Sequence, residues 1–153
     1  MNTHKACLGL TLLLIALGCV RIVLTYPHLT HTVDEPAHLA AGLELLSSGT
    51  YTYEYQHPPL TRVVAAMGPF LTGLRSQGHT SMWEEGAALL FAGDYRQTLS
   101  LARSGNLLFF VAACLAVYMT AAWLFQPATG LLAVLVFSMT PTVLAPAGVA
   151  PTD

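Results

Sequence analysis

Charge is what this sequence has least of: its 153 residues include only six Lys or Arg and eight Asp or Glu. A soluble globular domain devotes about 25% of its residues to charge, against 9% here, so an ordinary water-soluble domain is excluded. Basic residues are too few, and the net charge of -2 has the wrong sign, for the positive field that nucleic-acid binding needs, so nucleic acid is not an expected partner. Cys7, Cys19 and Cys114 all lie inside apolar runs without ligand spacing, which argues against a disulfide framework or a zinc site and for small buried hydrophobes. Internal repeats and low-complexity tracts are also missing. What fills the chain is apolar: 54% of residues are hydrophobic and the mean hydropathy is +0.58, the composition of a membrane protein.

Three stretches approach the roughly 20 apolar residues that a bilayer-crossing helix requires. The first covers about 6–25 and is interrupted only by Arg21, whose long stem can reach the interface. The second, about 105–125, contains no charge, and the third, about 130–147, carries Pro141 as an expected kink. Only "QPAT" separates the second from the third, so the two are expected to form an antiparallel hairpin. The first stretch also has a rival reading as a removable signal peptide. Lys5 supplies a basic flank and "ALGC" weakly resembles a lipoprotein cleavage box. The swapped order of Ala16 and Leu17, and the apolar run continuing through "VRIVLT", favour a retained anchor.

Counting crossings from a cytoplasmic Lys5 puts residues 26 to about 100 outside, "QPAT" inside and the end of the chain outside again. Asp34 and Asp153 then share one side. A structureless stretch of about 75 residues would be unusual, and the outer region reads as short helices lying along the membrane. Pro36 suits a first helical turn, with Glu35 or a Thr32/Glu35 capping box supplying N-terminal acceptors. Leu39, Leu43 and Leu46 then repeat at helical spacing until "SSG" at 47–49. A second helix is expected from "HPPL" onward, with Leu60, Val63, Val64, Met67 and Leu71 along one face and Arg62 on the polar face. "GHTSMWEEG" reads as a loop that brings Trp83 to the interface, and Asp94 as the cap of a helix leading through Arg103 into the second span.

Three motifs in order, "DEPAHLAAGLELLSSGTY…QHPPLTRVVAAMGPFL", "ARSGNLLFF" and "LFQPATGLLAVLVFSMTPTVLAPAGVAPTD", carry a resemblance. The chain resembles the amino-terminal part of the GT-C glycosyltransferases, nearest to family 39, which contains the protein O-mannosyltransferases and aminoarabinose transferases. The resemblance covers nearly the whole chain. It implies an all-α, multi-pass enzyme of the bacterial inner membrane or an equivalent membrane, with its site facing outward. Such an enzyme takes a sugar from an isoprenyl-phosphate-linked donor held among membrane lipids and gives it to an acceptor hydroxyl or amine. Family enzymes run to several hundred residues with more spans, so the resemblance implies a fragment. The alternative is a small non-catalytic three-span protein that retains the motif.

Carried onto this chain, the resemblance makes Asp34 the catalytic base, Glu35 its motif neighbour and Asp153 a second acidic position of the site. An inverting transfer needs one carboxylate within reach of the acceptor proton. The departing phosphate calls for positive charge, for which Arg62 and Arg103 are the candidates, with interface anchoring as the bland reading. His57, before Pro58-Pro59, either touches substrate or holds its loop. Gln56 stands where many members carry Glu, and Pro146 where a histidine is common. A divalent metal is therefore left open as a cofactor without a ligand set.

Overall fold

The computed structural model describes residues 3–150. Among them are eight α-helices, one short 3-10 turn and no strand, as the all-α expectation requires. Two helical stretches, Thr3–His28 and Tyr95–Leu124, are long and apolar enough to cross a membrane, and a bent helix pair makes a third if it counts as one span. The chain divides into two compact units.

The first unit comprises residues 1–24 and 107–147. It holds α1 (Thr3–Val23), α6 (Leu107–Leu124), α7 (Pro127–Met139) and α8 (Pro141–Ala147). Small residues set its packing. A Cβ on Gly18 would come within 2.7 Å of the Phe110 ring, and one on Gly130 within 2.8 Å of the Tyr118 carbonyl oxygen. The second contact closes the hairpin of α6 and α7 around "QPAT", with Pro127 in the first turn of α7, where its missing N–H costs nothing. The kink expected at Pro141 is present, and it is sharp enough to divide residues 130–147 between two helices. Thr140 is extended (φ -73°, ψ 122°), as the residue before a proline tends to be, and α7 and α8 meet there at a 63° bend.

The second unit comprises residues 25–106 and 148–153. It is built from α2 (Glu35–Ser48), α3 (Leu60–Leu71), α4 (Met82–Phe91) and α5 (Tyr95–Ser104). Every residue of α2 from Glu35 to Glu44 is buried, so α2 is the helix the others surround. Its end follows from Gly49, whose φ of 75° suits glycine and whose N–H returns to the Leu45 carbonyl. Leu39 and Leu43 join Ala66 of α3, Leu89 and Leu90 of α4, and Leu99 and Ala102 of α5 in one apolar core, with Leu46 packed at its edge. The helices approach closely through glycines. A Cβ on Gly42 would lie 2.1 Å from the Arg62 carbonyl oxygen, and one on Gly86 2.2 Å from that of Pro36.

Two expectations for this unit change. Met82 to Phe91 is a helix and not a loop, started by Ser81, whose hydroxyl accepts from the Trp83 N–H. The signal was the Ser81-x-x-Glu84 capping pattern. In α3, the stripe Leu60, Val63, Val64, Met67 and Leu71 shares a face as expected and faces outward, with Leu60 63% exposed and Leu71 77%, whereas the face of Arg62, expected to be the polar one, is buried. The inward face carries Arg62, Ala65, Ala66 and Pro69. Asp94 caps α5 as expected, accepting from the Gln97 N–H at 2.9 Å.

Candidate functional site

Asp34 occupies the N-cap position of α2, yet its side chain makes no capping bond and is exposed. Glu35, the first residue of α2, caps no helix N–H either, and one oxygen of its carboxylate reaches back out of the helix to accept from the Thr32 N–H at 2.7 Å. The group is also buried and paired with Arg103 in a two-pronged contact, Nε to Oε1 and a terminal N–H to Oε2, both 2.8 Å. Arg103 donates further to the carbonyls of Leu29 at 3.1 Å and Thr30 at 2.8 Å. Burial pushes the Glu35 pKa up, but Arg103 and the N–H groups of Thr32 and Ala150 outweigh it and hold the carboxyl below its ordinary value. The planar fork of arginine matches a carboxylate in this way, where a lysine would not.

The fourth bond to Glu35 spans the chain. The Ala150 N–H donates to Oε1 at 2.8 Å, and the Asn106 side-chain amide donates to the Val149 carbonyl at 2.6 Å. The stretch leading to the chain's last residues is thereby fastened beside the residue that follows Asp34. Asp153 itself lies outside the described residues. A carboxylate clamped by four donors is a poor proton acceptor, so Glu35 positions the 29–35 segment while Asp34, beside it, keeps its lone pairs for water or a ligand.

Arg62 is likewise turned inward. Its Nε donates to Glu54 at 2.8 Å, and the same Glu54 oxygen contacts His38 Nδ1 at 3.0 Å, all three groups being buried. Burial raises the Glu54 pKa, and Arg62 and His38 more than reverse that. His57 is exposed. Its backbone N–H closes a turn onto the Glu54 carbonyl at 2.9 Å and its imidazole remains at the surface. Gln56, in the position where the resembled family often has Glu, is also exposed, and the carboxylate that does turn inward comes from Glu54, two residues earlier.

The structure therefore brings Glu35 and Arg103 together, and joins Arg62 to Glu54 and His38 in a second buried cluster. Asp34 and His57 stand at the surface outside both clusters. Sequence reasoning did not single out Glu54 or His38. His38 sits one turn from Glu35 on a helix, which is a weak signal, and Glu54 carries no spacing signal at all. Arg96 is an exposed guanidinium that donates to the Pro27 carbonyl at 2.8 Å, on the segment that leads to Asp34. Among the described residues no three of His, Cys, Asp and Glu converge in a way that would hold a metal ion, so these residues supply no metal-binding set. Comparison of the chain with family models, with curated proteins and with solved structures finds no match.

Proposed function

We propose that the chain carries part of the site of a membrane glycosyltransferase that moves a sugar from an isoprenyl-phosphate carrier to an acceptor hydroxyl or amine. Three crossings, with the bent pair α7 and α8 as the third, would put Asp34 on the outer side of a bacterial plasma membrane. Asp34 takes the acceptor's proton as the acceptor oxygen or nitrogen bonds to the anomeric carbon. The bond from that carbon to the phosphate oxygen breaks, and the isoprenyl phosphate leaves with the electron pair. With Arg62 and Arg103 committed to internal pairs, the exposed Arg96 is the better candidate to meet the phosphate.

One observation carries most of the support. The Ala150 N–H reaches Glu35 across the sequence, so the stretch preceding Asp153 and the residue next to Asp34 share one anchor, as a two-carboxylate site would require. The opposing reading, a non-catalytic membrane protein, draws on the same clamps, because Glu35, Arg62 and Arg103 all have structural work.

Asp34→Asn separates the two readings. A lost general base costs about 10²–10⁴ in rate, and since Asp34 caps nothing, stability should hold. Transfer from a polyprenyl-phosphate sugar, assayed in vesicles with the complete protein that contains this chain, is expected to fall by at least about a hundredfold. A variant transferring within a few-fold of wild type would remove Asp34 from the chemistry.

A further inference from the structure

A second feature of the 25–106 unit lies away from Asp34. An open cavity of about 450 Å³ is lined by Glu44, Tyr53, His79, Thr80 and Trp83, together with the first residues of α4. Ligand pockets for small molecules run from about 300 to 1,000 Å³, so one sugar ring fits here. Glu44 lies ten residues along α2 from Asp34, and at about 1.5 Å per residue that is on the order of 15 Å.

The walls are fixed before any ligand arrives. Buried Glu85 accepts from the Ser76 hydroxyl at 2.7 Å, the Gln77 N–H at 2.6 Å and the His79 N–H at 3.0 Å, which holds the 76–79 segment against α4. The Tyr53 hydroxyl donates to the His79 carbonyl. On the other wall, Glu44 accepts from the Thr52 and Tyr53 N–H groups at 2.8 and 3.2 Å and from the hydroxyls of Thr50 and Thr52. Neither carboxylate is left to titrate freely. Both remain as fixed negative charge near the cavity.

His79 is the group this frame presents. Its Nδ1 lies 2.7 Å from Glu85 Oε2. An ionised carboxylate only accepts, so Nδ1 carries the proton and Nε2 is left for a ligand, where it can hydrogen-bond a hydroxyl, which both donates and accepts. Trp83, 44% exposed, adds an aromatic face with an N–H at its edge. An indole face, an oriented imidazole and the Thr80 hydroxyl suit a ring that is apolar on one side and studded with hydroxyls at its rim. The two fixed carboxylates repel an anion.

We propose that this cavity is a binding subsite for a neutral or amino pyranose, with Trp83 stacking on the ring and His79 Nε2 hydrogen-bonded to one of its hydroxyls. The inference does not depend on transfer chemistry at Asp34, because a chain that binds sugar without transferring it would behave identically in a binding assay.

The test uses the full chain in lipid nanodiscs free of glycolipid and glycoside detergent, with Trp123→Phe as background so that Trp83 is the remaining indole. Methyl glucoside, glucosamine and glucuronate are titrated against its fluorescence. The first two should give a saturable change and glucuronate none. His79→Ala should weaken binding at least tenfold while the far-ultraviolet circular dichroism stays unchanged. Saturation-transfer NMR with methyl glucoside should be lost in Trp83→Ala, an exposed position whose change does not threaten the core. The proposal is overturned by the absence of saturation with both uncharged and amino sugars, by equal or tighter binding of glucuronate, or by binding unaffected in both variants.

Discussion

Four of the seven acidic side chains among the described residues, Glu35, Glu44, Glu54 and Glu85, are buried, and each ties a non-helical segment or a loop residue to a helix. A buried carboxylate without partners would be costly, and these have between two and four donors each. Glu35 with Arg103 is the pair with most at stake, because Arg103 is wholly buried and its removal would strand the carboxylate. Breaking such a pair from one side costs about 3–5 kcal/mol. Arg103→Ala should therefore lose stability on that scale in denaturant unfolding followed by circular dichroism. Asp34→Asn, at the exposed position next to Glu35, should stay within about 0.5 kcal/mol of wild type. If Arg103→Ala unfolds at the wild-type midpoint, the arginine is an interface anchor and the clamp contributes nothing. The Asp-Glu pair was legible in the sequence as a unit, and of the expected Thr32/Glu35 pairing only the contact of Glu35 with the Thr32 N–H forms, since Asp34 holds the N-cap position. The division of labour within the Asp-Glu pair was not legible, since it depends on Arg103 and Ala150 arriving from 68 and 115 residues away.

At the scale of helices, periodicity sorted the residues onto the right faces but did not reveal that the Arg62 face of α3 is the buried one. The Leu39, Leu43, Leu46 spacing of α2 points into the core, where three other helices supply apolar partners. The longer stripe of α3 points outward, and its small residues pack inward because Gly42 admits the α3 backbone at close range. Arg62 can be buried there because Glu54 neutralises it, with His38 bonded to the same carboxylate oxygen, and neither partner is visible from the helix itself. The close approach makes a contrast within one residue type. Gly42→Ala would thrust a methyl group to 2.1 Å from the Arg62 carbonyl, whereas a Cβ at Gly9 meets nothing within 4 Å. Gly42→Ala is expected to cost about 1–3 kcal/mol through overpacking, while Gly9→Ala should be neutral or slightly stabilising, since alanine is the better helix former by up to about 1 kcal/mol. Equal melting temperatures for the two variants would mean that α2 and α3 are not in contact as described.

Across the whole chain, the two units differ most in where their carboxyl groups lie. Every Asp and Glu falls within residues 25–106 or 148–153, and α1, α6, α7 and α8 contain none. Hydropathy made the apolar unit legible from the sequence, and Pro141 marked the place of the bend at Thr140, though not its 63° size. The other unit was legible in outline only, because its loops are held by carboxylates whose donors come from distant segments. Acid should separate the two. Burial raises the carboxyl pKa of Glu35, Glu44, Glu54 and Glu85, but their hydrogen bonds and ion pairs prevail and all four lie below the ordinary value of 4.5, with Glu85 drawn down to about 2. Groups whose pKa is depressed by folding contribute stability that is fully present above the unfolded value and lost as the pH falls through the folded one. For Glu85 that window runs from 4.5 down to about 2, and its contribution is on the order of 3 kcal/mol. Hydrogen exchange on the chain in vesicles should show the amides of α2 to α5 losing protection across this window while those of α1, α6 and α7 keep theirs. Glu85→Gln, which has no proton to gain, should flatten the lower part of the profile and start from a less stable protein. Protection lost in both units together, or in neither down to pH 2, would show that the buried glutamates do not hold the 25–106 unit in its fold.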